Sequence, residues 1–351
     1  MMKRLLRLAL TLGIITLINF ASNELTAQQD VHFSQFNAAP MQINPAHTGL
    51  FDGQVRVGLN YRNQYSAITK LSAYKTYATS LDFRFDKGFA AYDNFGIGLT
   101  FFTDKAGDTE LRNTYFTLST SYIKNLTRFR NQYISVGMHA GFDHRSINYS
   151  NVQTGSMWNG DSFDENLPNG EIFDFEKFSM LELGAGFTWF YAPDDRVNFY
   201  AGLGVYHINQ PNISFFENVK HRYIPRVDIN GGMAFPLSDK FEMLPSILIM
   251  KQGPNLQITP GTFIKYVLNS NSSVYLGSWL RIGTSYDSSI FPDALILTTR
   301  LDYNKWQFGV SYDITVSDLD RGNNKRGGIE LSAIYIGRAH KRHKTLHCPR
   351  F

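Results

Sequence analysis

Ligand-type side chains gather most densely at the far end of the chain, where His340, His343, His347 and Cys348 fall close together. Imidazole and thiolate are zinc ligands, but a structural zinc site uses a second cluster at comparable spacing, and this tail has no such companion. With Arg338, Lys341, Arg342, Lys344 and Arg350 interspersed, the tail's chemistry is electrostatic: a solvated basic segment, or a contact for an anionic partner. A second cluster is acidic. Residues 150–176 hold Asp161, Asp164, Glu165, Glu171, Asp174 and Glu176 with no Lys or Arg; such oxygens suit calcium, but the spacing matches no defined calcium loop, so a solvated loop is expected. His139 and His144 would be the candidate bases of an enzyme. Their odd spacing of five sends them to opposite faces of a strand. No catalytic, cofactor or metal site is expected.

The elements that carry these residues have a period of two. In Trp306–Val316, the side chains of Trp306, Phe308, Val310, Tyr312, Ile314 and Val316 share one face, and Gln307, Gly309, Ser311, Asp313 and Thr315 share the other. A segment of about ten residues with one wholly apolar face fits a tilted strand crossing hydrocarbon. Similar segments are read near 53–65, 73–86, 93–104, 110–124, 131–147, 176–191, 196–208, 222–236, 240–251, 255–268, 273–284, 290–303, 305–316 and 327–337. The pattern predicts an all-β fold, a transmembrane antiparallel up-and-down barrel of about 14 strands over 53–337. Long connections (148–175, 209–221, 317–326) alternate with short ones rich in turn formers, such as Ala192–Asp195, Pro236–Asp239, Asn269–Ser272 and the turn at Asn304. Long outside and short inside is the usual asymmetry of such barrels. Arg56, Arg62, Asp82, Arg84, Arg281, Asp313 and Glu330 fall on the polar face, so the lumen is expected to hold charges of both signs. A water-filled lumen and a plugged one both fit this pattern.

The ends bound the compartment. Lys3, Arg4 and Arg7 precede the apolar stretch Leu8–Ile18 and then Leu25-Thr-Ala27, which reads as a secretory signal peptide cleaved after Ala27. The apolar run is short of the roughly 20 residues of a helical span. Cleavage removes Lys3, Arg4, Arg7 and Glu24 and takes the net charge from +4 to about +2, with no basic patch that argues for nucleic acid. With Cys348 as the single cysteine, no internal disulfide can form, although a free thiol or an intermolecular bond remains open. Residues 28–52 then form a periplasmic or lumenal segment, and 338–351 a basic periplasmic tail. The apolar Phe33, Phe36 and Ile43 need burial, which a lumenal plug or a docking strand for a partner would supply. Asn44-Pro45 is a turn initiator, and Gly49 permits a backbone angle that other residues avoid.

The stretch Asp30-Val-His-Phe-Ser-Gln-Phe36, with Pro40 and Ile43-Asn-Pro-Ala-His-Thr-Gly49, resembles the opening of the PorP/SprF family of type IX secretion system membrane proteins. Ser311-Tyr312-Asp313, Gly327-Gly328-Ile-Glu330-Leu and the terminal Cys348-Pro349-Arg350-Phe351 resemble that family's closing motifs. The resemblance implies a non-catalytic outer-membrane barrel serving protein export, with family-motif and candidate partner contacts at Phe33, Phe36, Asn44, Pro45, Gly49, Ser311, Tyr312, Asp313, Glu330, Cys348, Pro349, Arg350 and Phe351. Its implied partners are the C-terminal domain of a large secreted adhesin, components of the type IX machinery, and outer-membrane lipid. Two branches are implied: one dedicated to single adhesins, the other a core component tied to the periplasmic ring and its peptidoglycan-binding partner. A diffusion porin is the rival outside the family.

Overall fold

A computed structural model describes residues 30–337 apart from 67–72, 87–91, 108, 129–130, 150–153, 165, 169, 171–173, 195, 285–288 and 318–324. The signal-peptide reading, the basic tail with Cys348, Pro349, Arg350 and Phe351, and two of the loop acids (Glu165 and Glu171) lie outside the described residues.

The wall consists of fourteen antiparallel strands: β1 (Val55–Gln64), β2 (Tyr74–Phe85), β3 (Asn94–Ala106), β4 (Leu111–Asn125), β5 (Gln132–Ser146), β6 (Lys177–Asp194), β7 (Val197–Tyr206), β8 (Arg226–Pro236), β9 (Phe241–Gln252), β10 (Asn255–Asn269), β11 (Ser272–Thr284), β12 (Ile290–Tyr303), β13 (Trp306–Thr315) and β14 (Arg326–Gly337). Each strand pairs with its sequence neighbours, and β1 pairs with β14 to close the barrel. Closure leaves no free edge, the condition for a sheet to lie in lipid. The shortest strands have ten residues, about 33 Å of chain at ~3.3 Å per residue, which at a tilt of ~40° matches the ~25 Å apolar band of such barrels.

The burial pattern is inside out relative to a water-soluble sandwich. On β13 the rings of Trp306, Phe308 and Tyr312 and the side chain of Val310 face outward and are exposed, while Ser311, Asp313 and Thr315 are buried. The same inversion runs round the wall: Leu59, Tyr77, Leu99, Phe116, Met138, Phe142, Leu183, Leu276 and Leu297 are exposed, and Arg56, Arg62, Asp82, Arg84, Glu182, Asp228, Arg281 and Glu330 are buried. His139 points inward and His144 outward, as their odd spacing requires.

Register turns several of the inward charges into pairs. Arg56 lies opposite Asp82 across β1 and β2, and Arg62 lies opposite Glu330 across the closing β1–β14 seam. The respective ion-pair distances are 2.8 and 3.2 Å.

Two element ends differ from the periodicity. β6 runs on to Asp194, through the Ala192-Pro-Asp stretch read as a turn, with a register irregularity between Tyr191 and Asp194. β8 begins at Arg226 rather than near 222, because residues 207–225 form their own structure. His207 turns the chain with φ +56°, Asn212 bridges Arg222, and the Tyr223 amide donates to the Pro211 carbonyl at 2.8 Å.

Candidate functional site

Residues 30–51 lie inside the barrel. They contain three short helical turns, Phe36–Ala38, Pro40–Ile43 and Pro45–His47, of which the last two begin on proline, whose fixed φ suits a first helical position. The segment runs from the end of the barrel that carries the long connections (147–176, 207–225, 316–325) to the end that carries the short turns, where it enters β1.

At the loop end the anchor is Asp30, the first residue of the Asp30–Phe36 motif. Its amide donates to Gln252 Oε1 at 2.8 Å. Its carboxylate accepts from Arg226 Nη1 at 2.7 Å, from Gln252 Nε2 at 3.1 Å and from the Tyr223 hydroxyl, and His207 Nε2 lies 2.7 Å away. The Tyr223 ring stacks on His207 at 3.8 Å, and the Arg226 guanidinium lies 4.1 Å from the centre of the Tyr206 ring. His207, Tyr223, Arg226 and Gln252 were not singled out from sequence. The available signal was the inward parity of Arg226, Asp228 and Asn230 at the start of β8.

Lower in the lumen the two distant family motifs meet. The Ser34 and Gln35 amides donate to the two oxygens of Glu330 at 2.7 and 2.8 Å, and Ser34 Oγ donates to Asp313 Oδ2 at 2.7 Å. The Gln35 side-chain amide reaches the Glu330 carbonyl at 3.0 Å and accepts from Ser332 Oγ at 2.8 Å. Arg281 closes the knot, donating to Ser34 Oγ and to Asp313 at 3.0 and 2.9 Å. A carboxylate that accepts two backbone amides makes charge-assisted bonds, roughly twice as strong as neutral ones. Ser311 is buried beside this knot, whereas Tyr312 projects outward from the same strand.

The apolar motif residues pack into the wall. Phe33 meets Phe102 edge-on at 6.1 Å, and Phe36 meets Trp279 in the same way at 6.2 Å. Asn44 is fully buried and does two jobs. Its Oδ1 accepts from the Ala46 amide at 2.9 Å to cap the last turn, and its Nδ2 donates to the Phe187 carbonyl and Thr188 Oγ1, each at 3.0 Å. Pro45 passes so close to β5 that a Cβ placed on Gly137 would lie 2.4 Å from the Pro45 carbonyl oxygen. Gly49 has φ +69°, and its amide donates to Asp82 Oδ2 at 2.8 Å. Leu50 then packs with Ile123, Tyr133, Phe190, Ala192 and Tyr200 at the turn end.

Phe33, Phe36, Asn44, Pro45, Gly49, Ser311, Asp313 and Glu330 are thus brought together inside the barrel, and an external partner could reach them only by displacing the segment. Tyr312 faces lipid.

Outside the lumen, described residues of the β5–β6 and β7–β8 connections interlock. The Glu217 amide donates to Asp174 Oδ2 at 2.8 Å, the Phe175 amide to the Phe215 carbonyl at 3.2 Å, and Phe178 packs on Phe215 at 4.8 Å. Trp158 and Phe163 bridge as a small hairpin and are about half exposed, as is Val219. Among the described residues, no group of three or more metal-ligating side chains could hold an ion.

Among solved structures, the chain is similar to a TodX monoaromatic hydrocarbon channel mutant, with 10% identity over 86% of this chain and 94% of that one, and a TM-score of 0.51. The Ralstonia pickettii toluene transporter TbuX aligns with 10% identity over the same 86% and 94%, and a TM-score of 0.50. Identities this low show a shared outer-membrane barrel fold and nothing of substrate. Among curated proteins no match was found. Residues 25–335 match the family described as type IX secretion system membrane protein PorP/SprF, a span containing both motif sets that meet in the lumen, and the chain belongs to that family.

Proposed function

We propose that the protein is a non-catalytic outer-membrane component of the type IX secretion system that docks a large surface adhesin, through its C-terminal domain, for secretion and attachment at the cell surface. The observation that carries this reading is the filled lumen. Residues 30–51 cross it from end to end, fixed by Asp30 at one end, Glu330 and Asp313 in the middle and Asp82 at the other. A barrel so occupied works through its surfaces rather than as a diffusion pore. The surface formed by the described residues of the β5–β6 and β7–β8 connections, joined by their mutual hydrogen bonds and presenting Trp158, Phe163 and Val219, is the one we assign to the secreted partner; exposed apolar groups beyond the membrane mark interaction sites.

The machinery-facing role falls to the turn end and to the tail that follows β14. An N-terminal segment standing free in the periplasm does not fit with Asp30 held at the loop end by Arg226, His207 and Gln252. The test is removal of the protein from a producing bacterium. The adhesin should then be missing from the surface or shed, while other cargo is exported normally. Collapse of all export would instead make the protein a core component bound to the periplasmic ring and its peptidoglycan-linked partner.

A further inference from the structure

Beside the Asp30 anchor, toward the β1–β14 seam, lies a cavity of about 420 Å³, within the roughly 300–1,000 Å³ of small-ligand sites. Its floor is Val31 and His32 of the lumenal segment, and its walls include Arg62, Tyr65, Tyr74, Asp104, Gln257, Arg281, Phe291 and Asp293. Gln64, Tyr74, Asn255 and Thr284 are strand-end residues at the loop end, and the half-exposed Tyr74 ring stands at its mouth.

One buried carboxylate in this cavity is short of partners. Asp104 is 3% exposed; among the described residues its carboxylate takes one hydrogen bond, from Thr76 Oγ1 at 2.6 Å, and no ion pair. His32 Nδ1 lies 3.3 Å from the Asp30 carbonyl oxygen, which can only accept, so Nδ1 donates to it. The cations nearby are already engaged: Arg62 with Glu330 and Asp313, Arg281 with Asp293 and Asp313. Four carboxyl groups, Asp104, Asp293, Asp313 and Glu330, thus stand against two guanidinium groups. Around them Tyr65 and Tyr74 meet edge-on at 6.0 Å, and Phe291 also lines the cavity. The under-partnered Asp104 carboxylate, an excess of carboxyl groups and aromatic faces together suit a compact cation that donates hydrogen bonds and packs on rings.

We propose that this vestibule binds a primary ammonium group, carried by a free alkylamine or by a lysine side chain of a polypeptide. This goes beyond adhesin docking and does not depend on it. Calorimetric titration of the full chain in detergent with 1,5-diaminopentane, with the peptide acetyl-Gly-Gly-Lys-Gly-Gly-amide, and with the same peptide carrying norleucine in place of lysine tests it. Saturable binding of the diamine or the lysine peptide is expected, with the norleucine peptide at least tenfold weaker. Which of the two amines binds more tightly assigns the source. Asp104→Asn should weaken binding at least tenfold with an unchanged melting temperature, and Tyr74→Ala should weaken it several-fold. The proposal is overturned if neither amine binds, if norleucine serves as well as lysine, or if a folded Asp104→Asn variant keeps its affinity.

Discussion

Glu330 is 2% exposed and holds the lumenal segment by its backbone, which makes Glu330→Ala the most direct perturbation of the plug. The variant loses the acceptors of the Ser34 and Gln35 amides, at 2.7 and 2.8 Å. Each hydrogen bond to a charged group contributes about 1.5–3 kcal/mol. Because the vacated space admits water that partly satisfies both amides, we expect the local opening free energy of the segment to fall by about 3 kcal/mol rather than by the full sum. At about 1.4 kcal/mol per factor of ten, amide exchange across residues 31–39 should accelerate on the order of 100-fold. Hydrogen–deuterium exchange with mass spectrometry in detergent reads this directly, with peptides from β5 and β10 as internal controls. Glu330→Gln keeps one neutral acceptor oxygen and puts an NH2 donor in place of the other, and should show an intermediate acceleration. Glu330→Ala also strips Arg62 of one partner, and breaking a buried pair costs about 3–5 kcal/mol by itself. The double variant Arg62→Met, Glu330→Leu separates the two effects: barrel stability should recover while residues 31–39 still exchange fast. Unchanged exchange of 31–39 in Glu330→Ala would refute the anchoring argument.

Deleting residues 30–48 should convert a nearly silent protein in planar bilayers into one with stable conductance steps, whereas large steps from the intact chain would mean that the lumenal segment does not close the barrel. Gly137→Val places a branched side chain where the Pro45 carbonyl now sits, 2.4 Å from the position of a Cβ, and should open the lumen partially with the wall intact, seen as intermittent conductance with normal heat-modifiable migration. Val310→Arg puts a charge on the outward face of β13 and should cost about 2–4 kcal/mol if Val310 lies near the bilayer midplane, read from urea-dependent folding into lipid vesicles. In a Cys348→Ser background, Trp158→Cys should react with a membrane-impermeant maleimide on intact cells and Leu237→Cys, on a short turn, should not; the reverse result would invert the barrel.

The strands were legible because alternation is a local signal: each segment shows its two faces without reference to any other. The exceptions have local causes too. β8 starts late because Pro211, His207 and Tyr223 commit 207–225 to a loop fold of its own, and β6 continues past Ala192 through a register irregularity. The plug was legible only as a need for burial. That Ser34 would meet Glu330, 296 positions away, depends on where barrel closure brings β14, and no short-range pattern encodes this. The Asp30 anchor was missed for the same reason, since its partners come from three separate places: the β7–β8 loop, the first residue of β8 and the last residue of β9.

The closing seam gives the paired motifs a physical purpose. Across β1 and β14 the wall is joined by main-chain ladder bonds like any other strand pair. On its lumenal side, though, Arg62 of β1 and Glu330 of β14 form an ion pair, Arg62 Nη1 donates to the His32 carbonyl, and Glu330 accepts from Ser34 and Gln35. The N-terminal segment therefore bridges the first and last strands from within. A buried pair gains little by itself once its desolvation is counted; additional hydrogen bonds change that balance, and here they come from the plug backbone. Closure of the barrel and seating of the plug should then be coupled, each stabilising the other through the same carboxylate. On this view a residue such as Glu330 is constrained by assembly of the wall as much as by seating of the plug.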